Sequence, residues 1–321
     1  MKTFAVDKVN TSLLLLSAVA AFFLPFEVFL FSYAFFGPLH YLTEISWLEE
    51  RSFFLTHKKF VWIIIAAGLL IFAAYLGLTP IIDSGYLVFV SLLIAATFSL
   101  VFLFIKPRTL KERALLSGVM AVILLCTYFL QSWTIFFAIL VPTIIHVSLF
   151  TILFMFQGAQ RSKSAVGYFN VFFYVLLSLG LVFITIKGLS YSLSTYVTDA
   201  YRSFEGVNLQ IMNMLNIGNS DVQWSIYKSA AGLSIMRFIA FAYTYHYLNW
   251  FSKVNIIKWN AVSKRVQIFT VCIWIGSVLL YISNFEFGLV VLYFLSLMHV
   301  LLEFPLNQHS MVSIWSGFRK K

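Results

Sequence analysis

An all-α, polytopic transmembrane helical bundle is the fold class this sequence predicts, and three observations predict it. Of 321 residues, 61% are hydrophobic and only 11% charged, with a mean hydropathy of +0.91. A soluble domain carries about 25% charged residues. A water-soluble fold cannot bury this much apolar side chain, so lipid must cover it. Apolar runs long enough to span a bilayer recur nine times. Finally, Lys and Arg gather in alternate connections between those runs, which is the membrane orientation signal.

The first run is 11–35. Lys2, Lys8 and the Ala-Val-Ala that follows Leu13–Leu16 resemble a signal peptide, but apolar residues continue through Phe36. That is longer than a signal h-region, so an uncleaved first membrane helix is expected. The next runs are 60–81, 85–106, 112–130 and 133–157. Pro142 lies inside the fifth and is expected to kink it. The sixth is 166–186. A polar connection, 187–223, then carries Asp199, Arg202, Glu205 and Asp221 and reads as an extramembrane loop. Amphipathic spacing over Val207–Leu215 predicts a short surface helix there. Runs 224–250, 266–284 and 287–304 complete the set. There is no internal repeat, and 1–321 reads as a single integral membrane domain. Cys126 and Cys272 lie in apolar stretches, form no motif and read as small core residues.

Sixteen of the 22 Lys and Arg lie in the first, third, fifth and seventh connections and the C-terminal tail. This bias predicts the N-terminus outside and the C-terminus in the cytoplasm. The net charge of +10 is thus an orientation signal, and nucleic acid is not an expected partner. The expected location is a bacterial inner (cytoplasmic) membrane, with the bilayer as partner. The sequence leaves the oligomeric state open.

Ionisable residues inside spans are costly, and each is a functional hypothesis by default. Four of the six His lie in or just beyond apolar runs: His40, His146, His246 and His299. All four belong to odd-numbered spans, each in the later half, so they approach a common depth in the inner leaflet. A lone membrane His more often bonds a neighbouring helix. Four at a matched depth point instead to a shared metal or haem site. Two of them have a Glu four residues later, His40 with Glu44 and His299 with Glu303. On a helix such residues share a face about 5–6 Å apart, so the Glu is a second ligand or an orienting acceptor. Imidazole with carboxylate suits iron, zinc or manganese. Glu44 also fits an ordinary juxtamembrane acid. Tyr243, Tyr245, Tyr41 and Asn249 neighbour the His positions and are candidates to bond ligands or substrate; an interfacial aromatic belt is the plain alternative. Glu27 and Arg237 are both intramembrane and are expected to pair with each other.

The stretch Gly37-Pro38-Leu39-His40 followed by Glu44 resembles the Gly-Leu-Pro-His…Asp opening of the Brp/Blh family, membrane-embedded iron dioxygenases that cleave β-carotene to retinal. Phe241-Ala242-Tyr243-Thr244-Tyr245-His246-Tyr247-Leu248-Asn249-Trp250 is similar to that family's aromatic-rich His-Ser-x-Arg-His helix, with Trp250 where the family has its second His. Leu297-Met298-His299-Val300 is similar to its late Pro-His segment. The resemblance implies an iron site on His40, His146, His246 and His299.

The leading expectation is therefore a non-haem iron oxygenase or dioxygenase acting on an apolar polyene or lipid such as a carotenoid. Fe(II) would be held by His40, His146, His246 and His299, with Glu44, Glu303 and Tyr243 as catalytic candidates. A dinuclear iron site is compatible with the same residues. An intramembrane zinc hydrolase of lipids would use the same ligands. A transporter with a His/Glu relay would need polar residues through both leaflets, and the outer halves of the odd spans hold few. A bis-His haem protein is a fourth option. No Gly-rich phosphate loop and no Gly-x-Ser-x-Gly motif occurs.

Overall fold

The computed structural model describes residues 2–50, 58–78, 87–93, 138–184, 191–217, 221–253 and 262–319, with isolated positions between 109 and 122. Most of the expected spans 85–106 and 112–130 lie outside these residues, as does Cys126. Among the described residues the structure is helical and contains no strand. Five helices are long and apolar enough to cross a membrane: Ala5–Phe23, Ala138–Ser162, Ala165–Phe183, Lys264–Ser283 and Phe285–Arg319. The chain divides into two compact units, Met1–Thr43 with Thr143–Leu292, and Glu44–Pro142 with Tyr293–Lys321.

The elements are α1 (Lys2–Phe23), α2 (Pro25–Phe31), a π-helical turn π1 (Ser32–Phe36), α3 (Gly37–Glu50) and α4 (Lys58–Tyr75). After them come a second π-helical segment, π2 (Val141–Phe150), then α5 (Thr151–Ser162) and α6 (Ala165–Phe183). The polar connection folds as α7 (Thr195–Tyr201), a 3₁₀ turn (Arg202–Phe204) and α8 (Glu205–Leu215). The last four helices are α9 (Val222–Tyr227), α10 (Ala230–Ser252), α11 (Lys264–Ser283) and α12 (Phe285–Arg319). Helix α8 covers the amphipathic stretch expected at Val207–Leu215.

Local chemistry sets these boundaries. Ser164, Ser194, Asp221, Ser229 and Ser263 cap the N-termini of α6, α7, α9, α10 and α11, each accepting from the amide three residues on. Lys163 and Asn216 end α5 and α8 in the left-handed region, at φ 51° and 53°. Gly232 lies where α9 meets α10; a Cβ there would stand 2.1 Å from the Ser225 carbonyl oxygen, so only glycine permits the approach.

In the first unit α10 is the central helix. It packs on α1, α2, π1, α6, α8 and α9, and nearly every side chain from Ser234 to Tyr247 is buried. Protein rather than lipid surrounds it, so it tolerates a sequence that carries Tyr243, Tyr245, His246, Tyr247 and Asn249 close together. Those outer helices expose apolar side chains instead, including Leu16, Val19, Phe172, Phe183, Phe269 and Ile282. Lipid is the medium in which such a surface is stable.

The single span expected over 11–35 is not one helix. Leu24 leaves helical geometry (φ −132°, ψ 57°) immediately before Pro25, which opens α2. Near the end of α1, the Phe22 carbonyl accepts from Arg237 Nε early in α10, at 2.9 Å. Near its start, Asn10 Oδ1 accepts from Tyr245 and Ser252 late in α10. Helix α1 is therefore antiparallel to α10. The segment α2–π1–α3 returns parallel to α10, pairing Ser32 with Thr244, Tyr41 with Tyr247 and Thr43 with Trp250. A helical hairpin replaces the expected first span.

Two further expectations are corrected. Glu27 accepts from Tyr191 at 2.5 Å. Arg237 donates to Phe22 O and lies over the Phe22 ring at 3.9 Å. Glu27 and Arg237 thus have separate partners, because Tyr191 and the hairpin turn approach them first. Cys272 is exposed on α11; a thiol is apolar enough to face lipid, so its apolar neighbours did not mark core.

Candidate metal centre

Three helices of the first unit bring His40, His146 and His246 together. One ring nitrogen from each lies within 4.8 Å of the others, and all three side chains are buried. His40 lies on α3 just after π1, His146 within π2 and His246 on α10. One π segment carries His146, and the other ends one turn before His40. An extra residue per turn re-aims the side chains that follow, and such bulges recur at functional sites. Pro142 opens π2: lacking an N–H, it cannot complete the α-helical ladder, and the wider turn takes up the mismatch. The expected kink in this span is a π-helical stretch.

His246 is held at both nitrogens. Its Nδ1 is 2.7 Å from Thr151 Oγ1, and its Nε2 is 3.0 Å from His40 Nε2. When Nδ1–H donates to Thr151, the Nε2 lone pair points at the other histidines, the tautomer a metal requires. The His146 and His246 ring centroids are 5.1 Å apart, and those of His40 and His246 are 4.7 Å apart.

An aromatic frame positions His40. The Trp250 indole packs edge-on at 5.3 Å between centroids, and its Nε1 donates to Thr43 Oγ1, which itself donates to the His40 carbonyl. Tyr247 lies 5.3 Å from the His40 ring and 5.5 Å from the His246 ring. The Tyr247 and Tyr41 hydroxyls meet at 3.0 Å over Gly37, where a Cβ would stand 3.1 Å from the Tyr41 oxygen. Gly37 therefore has a packing role one turn before His40.

Of the other sequence candidates, Tyr243 lies one turn before His246, with its ring on Phe29, Tyr33 and Tyr247. Tyr245 turns away toward Asn10 and Tyr174, and Asn249 is buried nearby on α10. His299, Glu44 and Glu303 belong to the second unit. There, the Glu44 and Glu303 carboxyls face each other within hydrogen-bonding reach. His299 and Glu303 are buried one turn apart on α12, followed by buried Asn307, whose Nδ2 is 3.5 Å from Glu303 Oε2.

Sequence reasoning missed Thr151 and Tyr247. Thr151 follows His146 by five residues, off the same-face spacing of an α-helix, and only π-helical winding brings both to His246. Tyr247 adjoins His246, and adjacent helix positions usually diverge.

No family model matches the chain, and no match emerges among curated proteins or solved structures.

Proposed function

We propose that the protein is a membrane-embedded, metal-dependent oxygenase, with non-haem Fe(II) held by His40, His146 and His246 and an apolar polyene or lipid such as a carotenoid as substrate. The observation that carries this reading is the convergence of three buried imidazoles from three helices of one unit. Their donor set fits such an ion. Imidazole nitrogens suit iron or zinc alike, and the donor set alone does not choose between them.

The chemistry such an ion supplies is the activation of dioxygen beside a bound apolar substrate. The chain's residues supply the rest. Thr151 fixes the His246 tautomer, Trp250 and Thr43 fix the His40 backbone, and the rings of Tyr247, Trp250 and Phe150 exclude water from the imidazoles. The resemblance to carotenoid-cleaving enzymes supports a polyene as substrate.

We also infer that the N-terminus is cytoplasmic. Because α1 is antiparallel to α10, Lys8 shares an end of the first unit with Arg161, Lys163 and Lys253. Asp199, Glu205 and Asp221 lie toward the other end. The positive-inside rule then assigns the lysine-bearing end to the cytoplasm. The hairpin adds one crossing to the single first span that the sequence predicts.

Two measurements test the catalytic reading. Elemental analysis of the purified protein is expected to find iron, lost in His40→Ala, His146→Ala and His246→Ala; zinc without iron would favour the hydrolase instead. Expression in cells that accumulate β-carotene is expected to bleach their orange colour, and unchanged colour without retinal would count against a carotenoid substrate.

A further inference from the structure

A run of aromatic rings leads away from the three-histidine site through the first unit. Tyr247 lies against both His40 and His246, at 5.3 Å and 5.5 Å between centroids. One turn earlier on α10, Tyr243 follows at 6.2 Å. Phe29 of α2 is next, 5.0 Å from Tyr243 and 5.5 Å from Tyr201 of α7. Tyr201 in turn lies 6.2 Å from Tyr227, the last residue of α9. Each step from Tyr247 to Tyr227 is an edge-to-face contact. Tyr247, Tyr243, Phe29 and Tyr201 are buried, and Tyr227 is half-buried beside the polar connection.

Packing alone does not ask for tyrosine at these positions. Phenylalanine fills the same space without taking a hydroxyl into an apolar interior. What tyrosine adds is a ring that loses an electron readily once its phenolic proton has an acceptor. The far end of the run supplies one. Tyr227 donates its hydroxyl to Glu205 Oε1 at 2.8 Å, within reach for proton transfer to a carboxylate base. Gln223 Nε2 donates to the same oxygen at 2.9 Å and holds the carboxylate in place. One step inward, Tyr201 donates to the amide oxygen of Asn208, which is too weak a base to take the proton. Oxidation along the run is therefore most favourable at Tyr227.

We propose that Tyr247, Tyr243, Tyr201 and Tyr227 form a hole-transfer chain that carries a one-electron oxidising equivalent from the three-histidine site to the polar connection. It rests on the metal-dependent oxygenase reading, which supplies the oxidant as dioxygen or a peroxide activated at that site. In the net step one electron leaves Tyr227, passes through the intervening rings and reduces the oxidised site by one equivalent. The Tyr227 phenolic proton moves to Glu205, leaving a neutral tyrosyl radical and a carboxylic acid. A thiol in solution then returns one electron to Tyr227 as the Glu205 proton goes back to the phenolic oxygen. Two such turns oxidise two thiols to one disulfide and release two protons to water. The chain drains oxidising equivalents that form without substrate, and so protects the imidazoles.

The test uses the full-length protein in detergent, loaded with Fe(II) and freed of unbound metal. Elemental analysis first reads the bound iron. Hydrogen peroxide and a nitroso spin trap are then added without substrate or oxygen. Paramagnetic resonance reads the trapped radical, and mass spectrometry maps the adduct to a residue. Wild type is expected to carry its adduct at Tyr227. Tyr243→Phe keeps the ring and removes the oxidisable hydroxyl; Glu205→Gln keeps a hydrogen-bond acceptor and removes the base. Each is expected to lower the Tyr227 adduct by about tenfold or more, with bound iron and melting temperature unchanged. His246→Ala, which loses iron, is expected to give no adduct there. Bound iron without an adduct at Tyr227, or with equal yield in both Tyr243→Phe and Glu205→Gln, overturns the chain and leaves the metal reading standing. A Tyr227 adduct undiminished in His246→Ala also overturns it, because peroxide would then be attacking the surface directly. Wild type that binds no iron sinks the metal reading itself, and the chain with it.

Discussion

Thr151 is the residue whose contribution to the three-histidine site can be isolated most cleanly. Its hydroxyl is 2.7 Å from His246 Nδ1 and ligates nothing itself. Partners of this kind typically contribute 10–100-fold to metal affinity. Thr151→Val keeps the shape and removes the bond, so metal retention is expected to fall by about that factor with the melting temperature nearly unchanged; unaltered affinity would show that His246 is oriented by packing alone. Lys253 supports a separate prediction. Burial at the end of α10 pulls its pKa from 10.5 down to about 8, against the opposing influence of Asp7. A lysine lowered in the folded state makes protonation costly there. The penalty is full below about pH 8 and fades as pH rises through 10.5. Lys253→Met is expected to melt above wild type at pH 7, with the gap closing between pH 8 and 10.5. A gap that does not change with pH would contradict this assignment.

Among the elements, π2 decides whether His146 belongs to the site. Periodicity marked an apolar helix here and Pro142 marked an irregularity, but neither revealed π-helical winding. Hydrophobic spacing does not register one extra residue per turn when every neighbour is apolar. Deleting Leu149 shortens the path from His146 to Thr151 and turns His146 by roughly 100°. The variant is expected to insert and fold but to lose the metal bound by the three histidines; full retention would mean that His146 is not a ligand. Helix α10 shows the converse. Its aromatic-rich sequence with His246 reads as a span bearing the site, and its burial explains why that sequence is tolerated within a membrane protein.

At the scale of the whole molecule, orientation is the open quantity. Run length alone marks 11–35 as one span, whereas the structure breaks it at Leu24–Pro25 into a hairpin. The antiparallel packing of α1 on α10 predicts that Lys8→Cys and Lys163→Cys react with a membrane-impermeant maleimide from the same side. Arg202→Cys should react only from the other. Reaction of Lys8→Cys together with Arg202→Cys would place the N-terminus outside after all.

Composition determined the helical membrane class, because an apolar excess this large has no stable arrangement in water. The positions of His40, His146 and His246 in late halves of apolar runs marked them as candidates, because an ionisable group at such depth needs a compensating role. Their meeting was settled by contacts between helices far apart in the chain. So was the hairpin at Pro25. Hydrophobic periodicity records that a residue is buried. It does not record which partner it is buried against, and for a metal ligand the partner is the chemistry.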